Sequence, residues 1–317
     1  MAATVSEYLV KAASICDGSK KFKEKLRVLG DQYDTLSGFK SASVDFLASL
    51  RNVEGNPLIR PFTEKESQLL VGIQNGIDAE ESIEGNFVNL LTSNFISKQL
   101  LMLENMTLDD LNSNPLLCAA LKLNTAAELV KYNVYALATR SIVTSMGFLV
   151  QDLLLFSSAD VYDGHDYEEG KNVKWDLVVE RLDEVKSFIE VKSGPNDLDK
   201  GQVKSYQKEI QAVERKGFKG YIGITYGKRD ADTVSINLFR QYLNRWEEHT
   251  LIGTELWDYI TGDENYHQVL MERIKQIAEA LLEHQSILAC IENKVSLLTE
   301  KFDEAYGDID HYLSQLW

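Results

Sequence analysis

The chain has 317 residues, of which 44% are apolar, and a formal net charge of −16 at pH 7. This apolar content can bury a core in one large or two modest domains, and the negative charge argues against a protein that coats nucleic acid indiscriminately. The three cysteines are scattered and odd in number, which indicates neither a disulfide framework nor a zinc site. With no charged-then-apolar leader and no apolar stretch long enough to span a bilayer, we expect a cytoplasmic protein.

The first 110 residues are predicted to be largely helical. Apolar residues recur there at helical intervals, and Thr63 and Glu66 have the spacing of a capping box. The predicted helices span Ser6 to Cys16, Phe22 to Thr35, Ala42 to Arg51, Thr63 to Ile73 and Phe87 to Leu103. No group of residues in this region indicates chemistry.

The next predicted helix runs from Thr144 to Phe156, with Ser145-Met-Gly147 at its start. Its apolar residues are spaced by threes and fours, as on one face of a helix. Gln151 and Asp152 are its candidate polar residues for a site, and periodicity does not decide which of the two faces inward. A solvated helix face is the alternative.

Two strand-like segments follow and form the most informative pattern in the chain. Trp175-Asp-Leu-Val-Val179 and Ser187-Phe-Ile-Glu-Val-Lys192 are separated by a short polar break, which predicts a hairpin. Because side chains alternate along a strand, Glu190 and Lys192 point to the same side, where Asp176 can join them. Carboxylate oxygens at one point suit Mg²⁺, and a nearby lysine can orient or deprotonate an attacking water.

The Glu-x-Lys tripeptide is a weak signal by itself. It also occurs at Glu184, Glu214 and Glu292. The copy at Glu190 differs because it ends an apolar strand, follows a second strand that carries an acid, and precedes the breaker Ser193-Gly-Pro195. An exposed edge hairpin with a surface ion pair is the alternative. The context favours a metal site.

A polar helix from Asp199 to Arg215 and a buried strand from Gly220 to Tyr226 are predicted after the hairpin. Gln202 and Tyr206 lie one helical turn apart, so the helix would place an amide and a phenol on the same face. This spacing is a weak signal alone, and its position just after Lys192 makes it more informative.

Positive charge is concentrated around the hairpin. Residues 186–229 contain ten basic and five acidic side chains, a net charge of +5 in an otherwise acidic chain. Such a strip suits contact with a limited set of phosphates, and Lys186, Lys200 and Lys204 are the candidate contacts. The alternative is an ordinary solvated face.

The end of the chain has a heptad pattern, which predicts one long C-terminal helix. His284 falls on the seam, where a polar residue can fix register. The partner of this helix could be the N-terminal helices or the same helix of a second subunit. The seam residues are Leu270, Ile274, Ile277, Leu281, His284, Leu288, Ile291, Val295, Leu298 and Phe302.

The hairpin and its surroundings resemble the PD-(D/E)xK nuclease superfamily, and more narrowly type II restriction endonucleases. The resemblance covers about half the chain and departs from the motif at Trp175, which stands where the motif has proline. It implies that Asp176 and Glu190 bind metal together with the carbonyl of Val191, and that Lys192 is the catalytic lysine. The matching segments begin at Asn114-Pro-Leu-Leu, Thr144-Ser-Met-Gly, Trp175, Ser187, Gly220-Tyr-Ile and Glu255-Leu-Trp.

The same resemblance implies supporting roles for neighbouring residues. In similar nucleases the helix before the hairpin often offers an acidic side chain toward the metal, for which Gln151 and Asp152 are the candidates. Gln202 and Tyr206 resemble the glutamine-x-x-x-tyrosine motif of RecB-like members of the superfamily.

The expected fold is α/β, with a restriction-endonuclease-like core of a mixed central sheet flanked by helices at 111–265, a helical N-terminal region at 1–110 and the C-terminal helix at 266–317, which packs or dimerises. The expected function is Mg²⁺-dependent cleavage of a short specific sequence in double-stranded DNA, with Mn²⁺ as a substitute metal. A homodimer, a cognate DNA methyltransferase as protection and a prokaryotic cytoplasm complete this expectation. The alternatives are a nuclease of the same fold for DNA repair or end resection, and a non-catalytic DNA-binding or scaffold protein.

Overall fold

The computed structural model describes residues 4–111, 113–167 and 175–316. These residues form an α/β structure with a five-stranded mixed sheet and many helices. The chain falls into two compact units, each made of two separated stretches: Met1–Leu91 with Val150–Arg273, and Thr92–Leu149 with Ile274–Trp317. The division into three consecutive regions stays a prediction. None of the helices in the described part of the chain combines the length and apolar character that crossing a membrane requires.

Capped helices make up the N-terminal part of the first unit. They are α1 (Val5–Ile15), α2 (Lys20–Gly30), α3 (Leu36–Lys40), α4 (Val44–Ser49) and α5 (Glu64–Gly76). Each follows a Ser or Thr whose side chain accepts a hydrogen bond from the backbone three residues on. Helices α1 and α2 pack so closely that a Cβ at Gly30 would lie 2.4 Å from the Cα of Ser6. The predicted helices are observed here with shifted ends, and the five-residue α3 was not predicted.

The helix predicted to start at Thr144 begins much earlier. The chain continues with α6 (Ile83–Asn105), α7 (Pro115–Leu121) and α8 (Ala126–Leu155). Glu128 accepts hydrogen bonds from the backbone of Asn124 and Thr125, and its own backbone donates to the hydroxyl of Thr125, so this capping box starts α8. The predicted start was wrong because Gly147 is an interior residue, with open space where a Cβ would point.

The sheet contains the predicted hairpin. Its strands are β1 (Val161–Asp163), β2 (Leu177–Val179), β3 (Ser187–Lys192), β4 (Lys219–Ile224) and β5 (Thr250–Ile252), arranged in that order. Strands β1, β2 and β3 pair antiparallel, whereas β3, β4 and β5 pair parallel. The remaining helices of this region are α9 (Lys200–Glu214), α10 (Val234–Tyr242) and α11 (Thr254–Thr261). The helix predicted from Asp199 and the strand predicted from Gly220 are confirmed as α9 and β4.

The two faces of the sheet are covered by different helices. On one face, Phe188, Ile222 and Ile224 pack in one buried cluster with apolar residues of α9 and α10. On the other face α11 approaches closely, because a Cβ at Gly223 would lie 2.7 Å from Leu256. Since Glu190 alternates with Ile189, it shares the α9 face with Phe188. The sheet therefore presents Glu190 toward α9.

The predicted long C-terminal helix is wrong, because the chain turns within it. Helices α12 (Tyr266–Leu282), α13 (Ile287–Tyr306) and α14 (Ile309–Ser314) take its place. Glu283 and His284 have positive φ angles of 48° and 67°, and the Ser286 hydroxyl caps α13 by accepting from the backbone of Ala289 at 3.1 Å. The side chain of His284 is exposed and pairs with Glu279, so His284 does not lie on an apolar helix seam as predicted.

Helix α13 packs within its own compact unit. Its residues Ile291, Val295, Leu298 and Phe302 share a buried cluster with apolar residues from the first half of α8. The apolar face that predicted a partner therefore packs against α8 and also against Leu103 near the end of α6, which belongs to the predicted N-terminal helices. The α8 residues in this cluster are Leu129, Val130, Val134 and Ala138.

Candidate active site

Asp176 lies directly before β2, and its carboxylate reaches across to β3. Its backbone N–H donates to the carbonyl of Ile189 at 3.1 Å, and its Oδ2 accepts from the backbone N–H of Val191 at 2.7 Å. The preceding Trp175 is fully buried in the same cluster as Phe188. The residue that replaces the motif's proline is thus a core anchor that holds Asp176 in place.

Glu190 is a buried acid with two hydrogen-bond donors on one oxygen. Its Oε1 accepts from the Lys192 ammonium at 2.8 Å and from the Tyr206 hydroxyl at 2.7 Å. Lys192 also lies 5.5 Å from the centre of the Tyr206 ring. Only 7% of Glu190 is exposed, so these contacts compensate a charge removed from water. Helix α9 therefore fixes the acid that β3 supplies.

The environment raises the pKa of Asp176 from 3.8 to about 6. Burial of the carboxyl is the largest cause, and the negative charge of Glu190 adds to it. The hydrogen bond from Val191 and the charges of Lys192 and His165 act in the opposite direction. Burial and the bond to Glu190 also raise the pKa of the Tyr206 hydroxyl, which therefore stays a donor at neutral pH. Two carboxylates that repel each other in a buried site favour a bound cation.

The donor set fits a hard divalent metal. Mg²⁺ binds proteins through one or two carboxylates and completes its shell with water and substrate phosphate oxygens, and Asp176 and Glu190 supply that number. The N–H of Val191 points toward Asp176, and the carbonyl of a strand residue faces the same side as its N–H, which directs the Val191 oxygen there as well. Within the described residues, no group of three or more His, Cys, Asp or Glu is placed to bind a metal.

His165 is a site neighbour that sequence patterns do not single out. It follows β1 in a short turn, where its backbone N–H and its Nδ1 both lie 2.9 Å from Oδ1 of Asp163. The turn is pinned to the acid, because the N–H of Gly164 donates to the carbonyl of Asp176 at 3.0 Å. A Cβ at Gly164 would lie 2.4 Å from the carbonyl oxygen of Trp175, so this turn requires glycine.

The predicted supporting residues take different positions. Tyr206 joins the site, whereas the Gln202 side chain accepts from the backbone N–H of Asp199 at 2.9 Å and completes the cap of α9. The Asp152 carboxylate pairs with the Lys11 ammonium at 2.7 Å. Gln151 is half-buried on α8. A role for Gln151, Asp152 or Gln202 in the site stays a prediction.

The three candidate phosphate contacts also differ. Lys186 lies at the end of β3 opposite Lys192, where its ammonium is 3.4 Å from Glu180 and 4.7 Å from the centre of the Tyr167 ring. Lys200 and Lys204 are exposed on the first turns of α9, with their ammonium groups about 5 Å from the ring centre of Tyr242. Both lysines therefore lie beside α10, and a phosphate contact by any of the three lysines stays a prediction.

Comparison with known families decides what kind of protein carries this arrangement. The family model of the type II restriction endonuclease EcoO109I matches residues 81–281, more than half of the chain. The chain belongs to the EcoO109I family of type II restriction endonucleases. A search of curated proteins found no match.

Membership of the EcoO109I family makes the protein a nuclease whose substrate is DNA. The matched residues contain Asp176, Glu190 and Lys192 together with the whole sheet. The predicted resemblance to type II restriction endonucleases is therefore confirmed, whereas membership of the PD-(D/E)xK superfamily stays a prediction. The EcoO109I match begins within the N-terminal helical region and ends in α12.

Proposed function

We propose that the protein is a Mg²⁺-dependent type II restriction endonuclease that hydrolyses phosphodiester bonds at a short specific sequence in double-stranded DNA. The observation that carries the proposal is the convergence of Asp176, Glu190 and Lys192 where the start of β2 lies beside the end of β3. Burial and mutual repulsion of the two carboxylates, in a chain of a restriction endonuclease family, support a divalent metal. Mn²⁺ is proposed as a substitute because it also accepts carboxylate and water ligands.

Each residue has a role that follows from its contacts. Asp176, Glu190 and the Val191 carbonyl would hold the metal, which when bound would supply Lewis-acid activation of water and of the scissile phosphate. The Lys192 ammonium, fixed by Glu190, orients the attacking water and stabilises negative charge that develops on the phosphate. The Tyr206 hydroxyl holds the Glu190 carboxylate in one orientation.

The proposal extends to the assembly and its cellular setting. Two identical subunits related by a two-fold axis can cut both strands of a symmetric DNA site, so we propose a homodimer. An enzyme that cuts specific sites also needs its own genome protected, which calls for a cognate DNA methyltransferase in a prokaryotic cytoplasm.

Digestion of a sequenced plasmid with purified protein and Mg²⁺, followed by mapping of the ends, tests the proposal. We expect discrete fragments whose ends share one short sequence, and no cutting by Asp176→Ala or Lys192→Ala. Glu184→Ala is the matched control, because it alters another Glu-Val-Lys tripeptide at an exposed position. A smear of fragments would assign the protein to repair or resection instead.

Metal binding gives an independent readout. Calorimetry with Mg²⁺ or Mn²⁺, on duplex DNA that lacks the cut site so that no hydrolysis contributes, should show a heat that disappears in Asp176→Ala and persists in Glu184→Ala. Equal heats in both variants, or none in the wild type, would favour a non-catalytic DNA-binding protein and overturn the proposal.

A further inference from the structure

An exposed tyrosine lies two residues beyond the end of β4, beside the proposed catalytic lysine. Strands β3 and β4 run parallel with Lys192 opposite Ile224, and the N–H of Thr225 donates to the carbonyl of Lys192 at 3.1 Å. The next residue, Tyr226, is 62% exposed. Ligands of sheets with parallel strands bind outside the carboxyl ends of those strands. Tyr226 therefore stands at the edge where substrate is expected.

The backbone that carries Tyr226 is held from several sides. The buried Thr225 donates from its hydroxyl to the carbonyl of Ser193 at 2.8 Å, and its own carbonyl accepts from the indole of Trp257 at 2.9 Å. After it, Gly227 has a φ of +123°, and a Cβ at Gly253 would lie 2.4 Å from the Gly227 oxygen. A rigid backbone thus presents an exposed aromatic ring.

The ring itself rests against the loop that leaves the catalytic strand. A Cβ at Gly194 would lie 2.7 Å from the Tyr226 hydroxyl oxygen and 3.2 Å from Cζ. Gly194 is two residues beyond Lys192, so the hydroxyl lies close to the end of β3, and a side chain at Gly194 would displace it. An aromatic ring that is carried by a fixed backbone and left open to solvent has the features of a contact surface for a ligand.

We propose that Tyr226 is a positioning residue for the DNA backbone: its hydroxyl donates to a phosphate oxygen next to the scissile phosphate, and its ring packs on the adjoining deoxyribose. The inference rests on the DNA cleavage proposed above. A phosphate contact is favoured over base reading because Tyr226 and Lys192 lie at the same edge, and Lys192 faces the phosphate that is cut. Contacts of this kind fix the register of a protein on its duplex.

Ethylation interference with wild type, Tyr226→Phe and Tyr226→Ala tests the contact on a duplex that contains the cut site, in EDTA so that no cleavage occurs. Ethylation of one phosphate beside the cut should weaken wild-type binding and should no longer weaken Tyr226→Phe, because the donor is gone. Tyr226→Phe should bind several-fold more weakly than wild type, and Tyr226→Ala at least tenfold more weakly. Tyr132→Phe, an exposed tyrosine of the other compact unit, is the matched control and should keep the wild-type pattern.

Gly194→Ala supplies a second variant that leaves tyrosine in place. The added methyl displaces the hydroxyl, so the same phosphate should lose its interference, and Gly194→Ala should cost little further binding in the Tyr226→Ala background. An unchanged interference pattern in Tyr226→Phe overturns the inference, as does a lowered Tm with no loss of the phosphate signal. If the variants bind as wild type does while wild type still cuts, only this inference fails. If wild type neither binds nor cuts duplex DNA, the proposed function fails with it.

Discussion

The tripeptide Glu-Val-Lys occurs twice in neighbouring positions of this chain, and the two copies have different surroundings. At Glu184 it lies in the connection between β2 and β3. The carboxylate there is exposed and makes a long ion pair, 3.7 Å, with the Arg181 guanidinium. At Glu190 it ends a buried strand, and the carboxylate accepts from both Lys192 and Tyr206. The same three residues thus form a surface feature in one place and a candidate metal site six residues later. Burial and the facing acid Asp176, not the tripeptide, make the difference.

The largest expected effect is on the cleavage rate, and it should differ between substitutions at Glu190 and at Glu184. Glu190→Gln keeps the shape and an acceptor for Tyr206 but removes the charge that holds a metal, so the cleavage rate should fall at least about a hundredfold. Glu184→Gln should cut at the wild-type rate. Rates of supercoiled plasmid cleavage at saturating Mg²⁺ measure both. Equal rates for the two variants would remove the distinction between the tripeptides.

The next effect is on stability and concerns the acid that faces Glu190. A carboxyl with a raised pKa binds its proton more tightly in the folded state, so without metal the fold should gain stability as pH falls from 8 through about 6 toward 4. The shift from 3.8 to about 6 corresponds to at most about 3 kcal/mol at neutral pH. Asp176→Asn should therefore raise the Tm in EDTA at pH 8, and the gain should shrink at pH 5.

Thermal unfolding in EDTA across this pH range tests that expectation. Glu184→Gln, at an exposed site, should shift the Tm little at either pH. Added Mg²⁺ should stabilise the wild type more than Asp176→Asn, because the metal relieves the repulsion that the substitution has already removed. A Tm for Asp176→Asn below that of the wild type at pH 8 would contradict the cost assigned to placing Asp176 beside Glu190.

A smaller effect is expected from the group that orients Glu190. Tyr206→Phe keeps the ring beside Lys192 but leaves the buried Glu190 oxygen with one donor fewer, which costs about 1–3 kcal/mol of local interaction. We expect kcat to fall about tenfold, with KM for DNA unchanged. Tyr242→Phe, beside Lys200, is the comparison and should leave kcat intact. A change confined to KM would place Tyr206 in DNA binding instead.

Local sequence patterns predicted the hairpin because alternation at Glu190 and Lys192 is a property of one strand. They did not predict where α8 begins, since apolar residues continue along it and Gly147 resembled a boundary. The heptad pattern did not reveal the turn at His284, because Leu281 before the turn and Leu288 after it are still seven residues apart. Leu288 is nevertheless exposed. Continuity of a pattern is therefore not continuity of a helix.

Local patterns did not predict the site residues that depend on pairing between distant parts of the chain. His165 reaches the site because β1 pairs with β2, which sets Asp163 opposite Leu177, and no local periodicity contains that register. Gln202 and Tyr206 were predicted together, yet only Tyr206 contacts Glu190, because the first turn of α9 uses Gln202 as a cap. The proposed site was predicted from one hairpin, whereas its supporting contacts depend on how the strands and α9 pack.

The smallest expected effect distinguishes the lysine of the exposed tripeptide from a lysine of α9. Lys204 is exposed, so Lys204→Ala should lose one phosphate contact and bind DNA several-fold more weakly. The plot of log K against log salt should become less steep, its slope falling in magnitude by about 0.9. Lys186 is held by Glu180 and the Tyr167 ring, so Lys186→Ala should leave that slope unchanged and lower the Tm instead. Titrations of one duplex at several salt concentrations measure both slopes. A reduced slope in Lys186→Ala would mean that the lysine leaves its internal partners for DNA, and that the exposed tripeptide also takes part in binding.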